Sequence, residues 1–152
     1  MHEGVQRAKN QNTPDQVSRL VLGCAMRVHS NLGPGLLENT YEVCLEHELK
    51  KSGLQVERQV YLPIVYDGVK IDSAYRLDLV VEGCVIIEIK SVEAIIDVYK
   101  AQLISYLKLS GKSLGLIINF NVPHLRNGIR RMVVGEGWRS VPSGHQEPNS
   151  IE

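Results

Sequence analysis

Two stretches decide the fold: Val85-Ile86-Ile87-Glu88-Ile89-Lys90, and downstream Leu114-Gly115-Leu116-Ile117-Ile118-Asn119-Phe120. Both are short runs rich in aliphatic residues, as expected of strands covered on both faces. Between them, about Ile96 to Leu109 reads as a helix that ends at Gly111. Strand, helix, strand over this span is a βαβ unit, so its two strands should run parallel. Just upstream, Tyr75 to Val81 is a further strand, joined to Val85 around Glu82-Gly83.

Working outward, Thr13-Pro14-Asp15-Gln16 opens a helix. Thr13 is a good N-cap, Pro14 suits the first helical position and Gln16 completes a capping box. Val17, Leu20, Val21, Cys24, Ala25, Val28 and Leu32 then recur at helical spacing, and Gly33-Pro34-Gly35 ends the run. A second helix is predicted from about Leu36 to Lys51, closed by Gly53, with Leu37, Tyr41, Cys44, Leu45 and Leu49 on its apolar face. Strands are expected at Val56 to Leu62, Ile64 to Tyr66 and, after the Asp67-Gly68 turn, Val69 to Ile71. A last short helix or strand falls near Arg126 to Val134. The order α, α, β-meander, α, β predicts an α/β sandwich around a mixed sheet.

The chain has 152 residues, with 43% hydrophobic and 22% charged, which is ordinary for one globular domain. Residues 14–138 should form that domain, and the polar stretches 1–13 and 139–152 should be flexible tails. Lys plus Arg and Asp plus Glu each number 17. A net charge of zero excludes binding by bulk positive charge. No apolar run reaches the roughly 20 residues that span a bilayer, and no secretory signal is expected at the N-terminus. Cys24, Cys44 and Cys84 sit in apolar segments without metal-site spacing, so they read as reduced, buried thiols of a cytoplasmic protein.

The chemistry centres on Asp78 and Glu88-Ile89-Lys90. Side chains alternate along a strand, so Glu88 and Lys90 share a face, while Leu77, Leu79, Val81, Val85, Ile87 and Ile89 are expected on the other. If Glu82, Gly83 and Cys84 form the loop, Val81 pairs with Val85. Asp78 then lies opposite Glu88, and Arg76 opposite Lys90. Carboxylates this close repel unless protonated or bridged by a cation, and hard oxygen ligands favour Mg²⁺ or Mn²⁺. Such an ion can polarise a phosphodiester and acidify an attacking water, while Lys90 orients that water or offsets charge on the phosphate. A structural carboxylate–lysine pair at a strand end gives the same spacing. Glu38 falls on the inward sector of the second helix, as Glu48 also does. Gln102 and Tyr106 share a face of the third helix.

Together these residues resemble the PD-(D/E)XK nuclease superfamily, in which a helical Glu, a strand Asp and a Glu-x-Lys on the next strand form a metal site. The chain is similar in particular to its GxxExxY branch. Here that motif reads Gly35-Leu36-Leu37-Glu38-Asn39-Thr40-Tyr41, with Tyr75 to Val81 and Ile87 to Ser91 as the matching strands. Gln102-Leu103-Ile104-Ser105-Tyr106 resembles the Q-x-x-x-Y motif of the nuclease domains in RecBCD-type recombination enzymes. Leu77 stands where the superfamily's name places a proline. The resemblance implies a restriction-endonuclease-like α/β/α sandwich with a central mixed sheet. It implies Glu38, Asp78, Glu88 and the main-chain carbonyl of Ile89 as metal ligands, Lys90 as the catalytic lysine, and Gln102 and Tyr106 as supporting residues. The expected activity is metal-dependent hydrolysis of nucleic acid, DNA more than RNA. The rival reading is a catalytically silent nucleic-acid-binding or protein-assembly module on the same fold.

Other residues have two readings each. Arg76 can hold a phosphate or pair with Glu88 or Asp78. Tyr41 can bond a ligand carboxylate or serve as a core aromatic. His29 can pack, cap its helix or approach the site, and His47 faces solvent. Lys100, Lys108, Lys112, Arg126, Arg130 and Arg131 are the candidates for a phosphate track. Specificity can come from a second copy of the chain or a protein partner.

Overall fold

The structure, a computed structural model, describes residues 12–135. Helices α1 (Pro14–Leu32) and α2 (Glu38–Lys51) come first. Strands β1 (Val56–Tyr66), β2 (Val69–Val81) and β3 (Val85–Lys90) follow, then α3 (Asp97–Ser110), β4 (Leu114–Asn119), a 3-10 turn at Leu125–Gly128 and β5 (Ile129–Val133). Apart from Asn12 and Thr13, the expected tails lie outside the described residues. The strands form one sheet in chain order, antiparallel throughout except for the β3–β4 pair. This is the α/β fold with a mixed sheet and the parallel βαβ unit that the sequence predicts.

Each helix is held by one of two cores. Val17, Val21 and Val28 of α1 and Tyr41, Leu45 and Leu49 of α2 pack on Leu79, Ile87, Leu116 and Phe120. On the other side, Leu103 and Leu107 of α3 pack on Val80, Ile86, Ile117 and Met132. Helices thus cover both sheet faces, which explains the unbroken apolar sequence of β3 and β4. All three cysteines are free, but only Cys24 is buried; Cys44 and Cys84 are half-buried.

The capping box forms as predicted. Gln16 N–H donates to Thr13 Oγ1 (3.2 Å) and Thr13 N–H to Gln16 Oε1 (2.9 Å). Helix α2 starts later than predicted, at Glu38, and Leu37 is 78% exposed rather than on the apolar face. The reason is tertiary. The Leu36 N–H donates to Tyr41 Oη, and the Leu36 carbonyl accepts the Ser91 hydroxyl, so Leu36 is committed outside the helix. Glu48, an alternative inward carboxylate, pairs with Arg27 at 3.1 Å.

The expected strands are joined into two long ones. β1 runs through Pro63, which an edge strand tolerates. β2 runs through Asp72-Ser73-Ala74, and pairing jumps from Leu62↔Tyr75 to Ile64↔Ile71. Ser73 takes a left-handed φ of 57° and absorbs the extra residues as a bulge. Near the C-terminus both alternatives occur, a 3-10 turn followed by a strand.

Gly128 sits where a Cβ would lie 2.1 Å from the Asn119 carbonyl oxygen, a backbone atom. At Gly115 a Cβ would meet the side chain of Leu103, nearest at 2.7 Å, and no backbone atom is among its three nearest neighbours. Gly128→Ala should therefore destabilise the protein by about 3 kcal/mol and Gly115→Ala by about 1 kcal/mol. Urea denaturation of the two variants checks this order.

Candidate metal centre where two strands part

The β2–β3 hairpin closes with Val81↔Val85 and continues through Val80↔Ile86 and Leu79↔Ile87. This is the register expected of a Glu82–Cys84 loop, in which Glu82 and Gly83 take left-handed φ values of 52° and 63°. It aligns Asp78 with Glu88. There the main-chain ladder gives way, and Asp78 Oδ2 accepts the Ile89 N–H at 2.8 Å. A carboxylate thus occupies the fork at which the strands separate.

One expectation for the faces is corrected here. Leu79 belongs to the core under α1 and α2, but Leu77 belongs to the core under α3. The cause is visible on β1, where Arg58↔Leu79 and Val60↔Leu77 are paired on either side of Gln59. Gln59 has a φ of 58°. Arg58 and Gln59 are adjacent, yet both reach Glu42: Arg58 Nε at 2.9 Å and Gln59 Nε2 at 2.6 Å. Regular alternation forbids that, so the left-handed residue turns the strand over.

Glu88 is buried, and among the described residues its Oε1 has no hydrogen-bond partner. Burial, reinforced by the Asp78 charge, raises its pKa to about 8. Burial also raises Asp78, to about 6, against the opposing Ile89 amide and Lys90, while Glu42 and Glu38 push the same way as burial. Two carboxylates are therefore held where each favours a proton, or a cation beside it.

Lys90 stands on the α3 side of β3, with its Nζ 4.5 Å from the centroid of the Tyr99 ring. Among the described residues neither Lys90 nor Arg76 makes an ion pair, so neither expected structural pair forms. Tyr106 is buried against Tyr75, with ring centroids 5.3 Å apart. Burial and then the Glu88 charge raise its hydroxyl pKa. Gln102, one turn earlier, is exposed.

Glu38 is the exposed first residue of α2, and its Oε1 accepts the Ser91 N–H at 3.2 Å. It lines a cleft of about 220 Å³ with Glu42, Gln59, Arg76, Asp78 and Ile89. Among the described residues, no three His, Cys, Asp or Glu groups converge closely enough to hold an ion. The structure brings Asp78 and Glu88 together, and Glu38 shares the lining of the cleft with Asp78 but not with Glu88. The orphaned Glu88 oxygen, its acidic neighbour and the all-oxygen donor set fit a hard divalent cation.

The remaining expected residues lie elsewhere. Tyr41 donates to the Gly33 carbonyl at 2.6 Å and stacks on Phe120 at 4.4 Å, so it holds the loop before α2 and bonds no site carboxylate. His29 Nε2 is 2.8 Å from the Val122 carbonyl and borders a separate groove beside Pro123 and Arg126. In the expected phosphate track, Lys112 donates to the Gly83 carbonyl, Arg130 to main-chain carbonyls and Arg131 to Asp15. Sequence reasoning missed Glu42, 4% exposed, together with Arg58 and Gln59. The spacing of Glu42 with Leu45 and Leu49 (i, i+3, i+7) was the available signal.

A family model for the PD-(D/E)XK nuclease superfamily matches residues 15–132. The chain belongs to that superfamily, whose members typically use divalent metals and act on nucleic acid. No curated protein and no solved structure matched. Among the described residues no helix is long and apolar enough to cross a membrane.

Unfolded carboxyls titrate near pH 4. The stability that protonated Asp78 and Glu88 contribute is complete below that value and is lost as pH rises through about 6 and about 8. In EDTA, the Tm should fall from pH 5 to pH 9, and Glu88→Gln should flatten that fall. Thermal denaturation across this range checks both.

Proposed function

We propose that the protein is a metal-dependent nuclease that hydrolyses phosphodiester bonds of nucleic acid, DNA more than RNA. The observation that carries this reading is the buried, unpartnered Glu88 oxygen beside Asp78 at the strand fork. Asp78, Glu88 and the Ile89 main-chain carbonyl would hold Mg²⁺ or Mn²⁺. Glu38 would complete the set by exchanging its bond to Ser91 for the ion. A bound ion supplies Lewis-acid polarisation of the phosphate and a more acidic water.

The chain's own residues do the rest. The Lys90 ammonium, in no ion pair among the described residues and resting over Tyr99, can turn to the attacking water or to charge developing on the phosphate. Arg76, at the cleft wall, can take a phosphate oxygen. The Tyr106 hydroxyl is kept protonated and able to donate, with Gln102 outside it on the same helix. Membership of the GxxExxY branch is supported by the roles of its motif residues. Gly35 has a φ of 96°, and the Tyr41 hydroxyl ties Gly33 and Leu36 together ahead of Glu38.

A second reading, a silent binding module, is favoured by Glu38 bonding Ser91 instead of closing on the pair. Cleavage of labelled single- and double-stranded DNA and RNA with Mg²⁺ or Mn²⁺ separates the two. The nuclease reading expects wild-type cleavage, reduced by at least about 10²-fold in Lys90→Ala and Asp78→Ala. Activity surviving both substitutions, or none from folded wild type, would contradict it.

A further inference from the structure

We propose that Glu42, Arg58 and Gln59 form a strut that places Asp78 in the fork, so that they are positioning residues for the candidate metal centre and not ligands of it. The inference rests on the cation reading given under Proposed function.

Glu42 is 4% exposed, and both its oxygens are engaged, Oε2 by Arg58 and Oε1 by Gln59. Arg58 also donates to Asn39 Oδ1 at 3.2 Å, beside Glu38. One guanidinium therefore ties β1 to the turn of α2 that carries Glu38. The same network reaches Asp78 through the sheet. Gln59 lies between the Arg58↔Leu79 and Val60↔Leu77 pairs, across from Asp78. A non-glycine residue at a φ of 58° persists only where its surroundings impose it. The bond to Glu42 imposes it here, and it explains why this left-handed position carries a long amide instead of glycine. Turning β1 over at Gln59 turns β2 with it, as the split of Leu77 and Leu79 between the two cores records. Asp78 is the residue between them, and the turn aims its carboxylate along the fork at the Ile89 N–H.

An ion pair that only stabilises the fold would leave the fork unchanged when altered mildly. The test uses the full chain with Gln59→Gly, which removes the amide but permits the left-handed backbone, and Arg58→Met. Two readouts are taken: amide hydrogen exchange at Ile89 relative to Leu116, and Mn²⁺ affinity by calorimetry. Val21→Ala, a core truncation on α1, sets the baseline by speeding exchange at Ile89 and Leu116 together. The strut predicts at least about tenfold faster exchange at Ile89 alone in both variants, and Mn²⁺ binding weakened about 10- to 100-fold. If Gln59→Gly does not fold, Glu42→Gln carries the same readouts. Unchanged Ile89 exchange overturns the strut, even where Asp78→Ala abolishes Mn²⁺ binding and so upholds the cation reading. If wild type binds no Mn²⁺, the cation reading fails and Ile89 exchange alone decides the strut.

Discussion

Two carboxylates buried side by side lose hydration and repel each other, and a fold keeps them only with a proton or a cation to offset both effects. Glu88 is buried, and Asp78 beside it is half-buried, so both feel these effects. The surrounding structure can be read as the means of holding them there. The Glu82–Cys84 loop sets the register that aligns them, and the helices on both sheet faces keep the strands dry. The fork between β2 and β3 gives Asp78 one main-chain donor and leaves Glu88 Oε1 with none.

The two faces of β3 have different work. Ile87 and Ile89 pack under α1 and α2, while Glu88 and Lys90 face α3 and its tyrosines. Lys90 thus stands near the carboxylates without neutralising them, which leaves its charge available to a bound phosphate. Glu38 lines the cleft from the start of α2, which the Leu36–Ser91 contact anchors. The acidic cleft and zero net charge mean that nucleic-acid affinity must come from a few local cations and a bound metal, not from the overall field.

Much of this was legible in the sequence. The apolar runs of β3 and β4 around a helix gave the parallel pair, and an odd loop after Val81 put Asp78 against Glu88. The start of α2 was not legible, because Leu36 is held by tertiary bonds to Tyr41 and Ser91 that no local propensity records. Nor was the split of Leu77 from Leu79. Strict alternation places them together, and only the left-handed Gln59, forced by a bond to a residue on another element, breaks the pattern. Glu42 was overlooked because a charged residue on an apolar helical face reads as an exception until its partners Arg58 and Gln59 are seen.

Anomalous diffraction from crystals soaked in Mn²⁺ tests directly whether a cation bridges Asp78 and Glu88. A bridging cation gives one strong peak among the carboxylates of Asp78 and Glu88 and the Ile89 carbonyl oxygen, absent in Asp78→Ala crystals. A folded protein with no Mn²⁺ peak at the fork, or with Mn²⁺ bound only elsewhere, would contradict it.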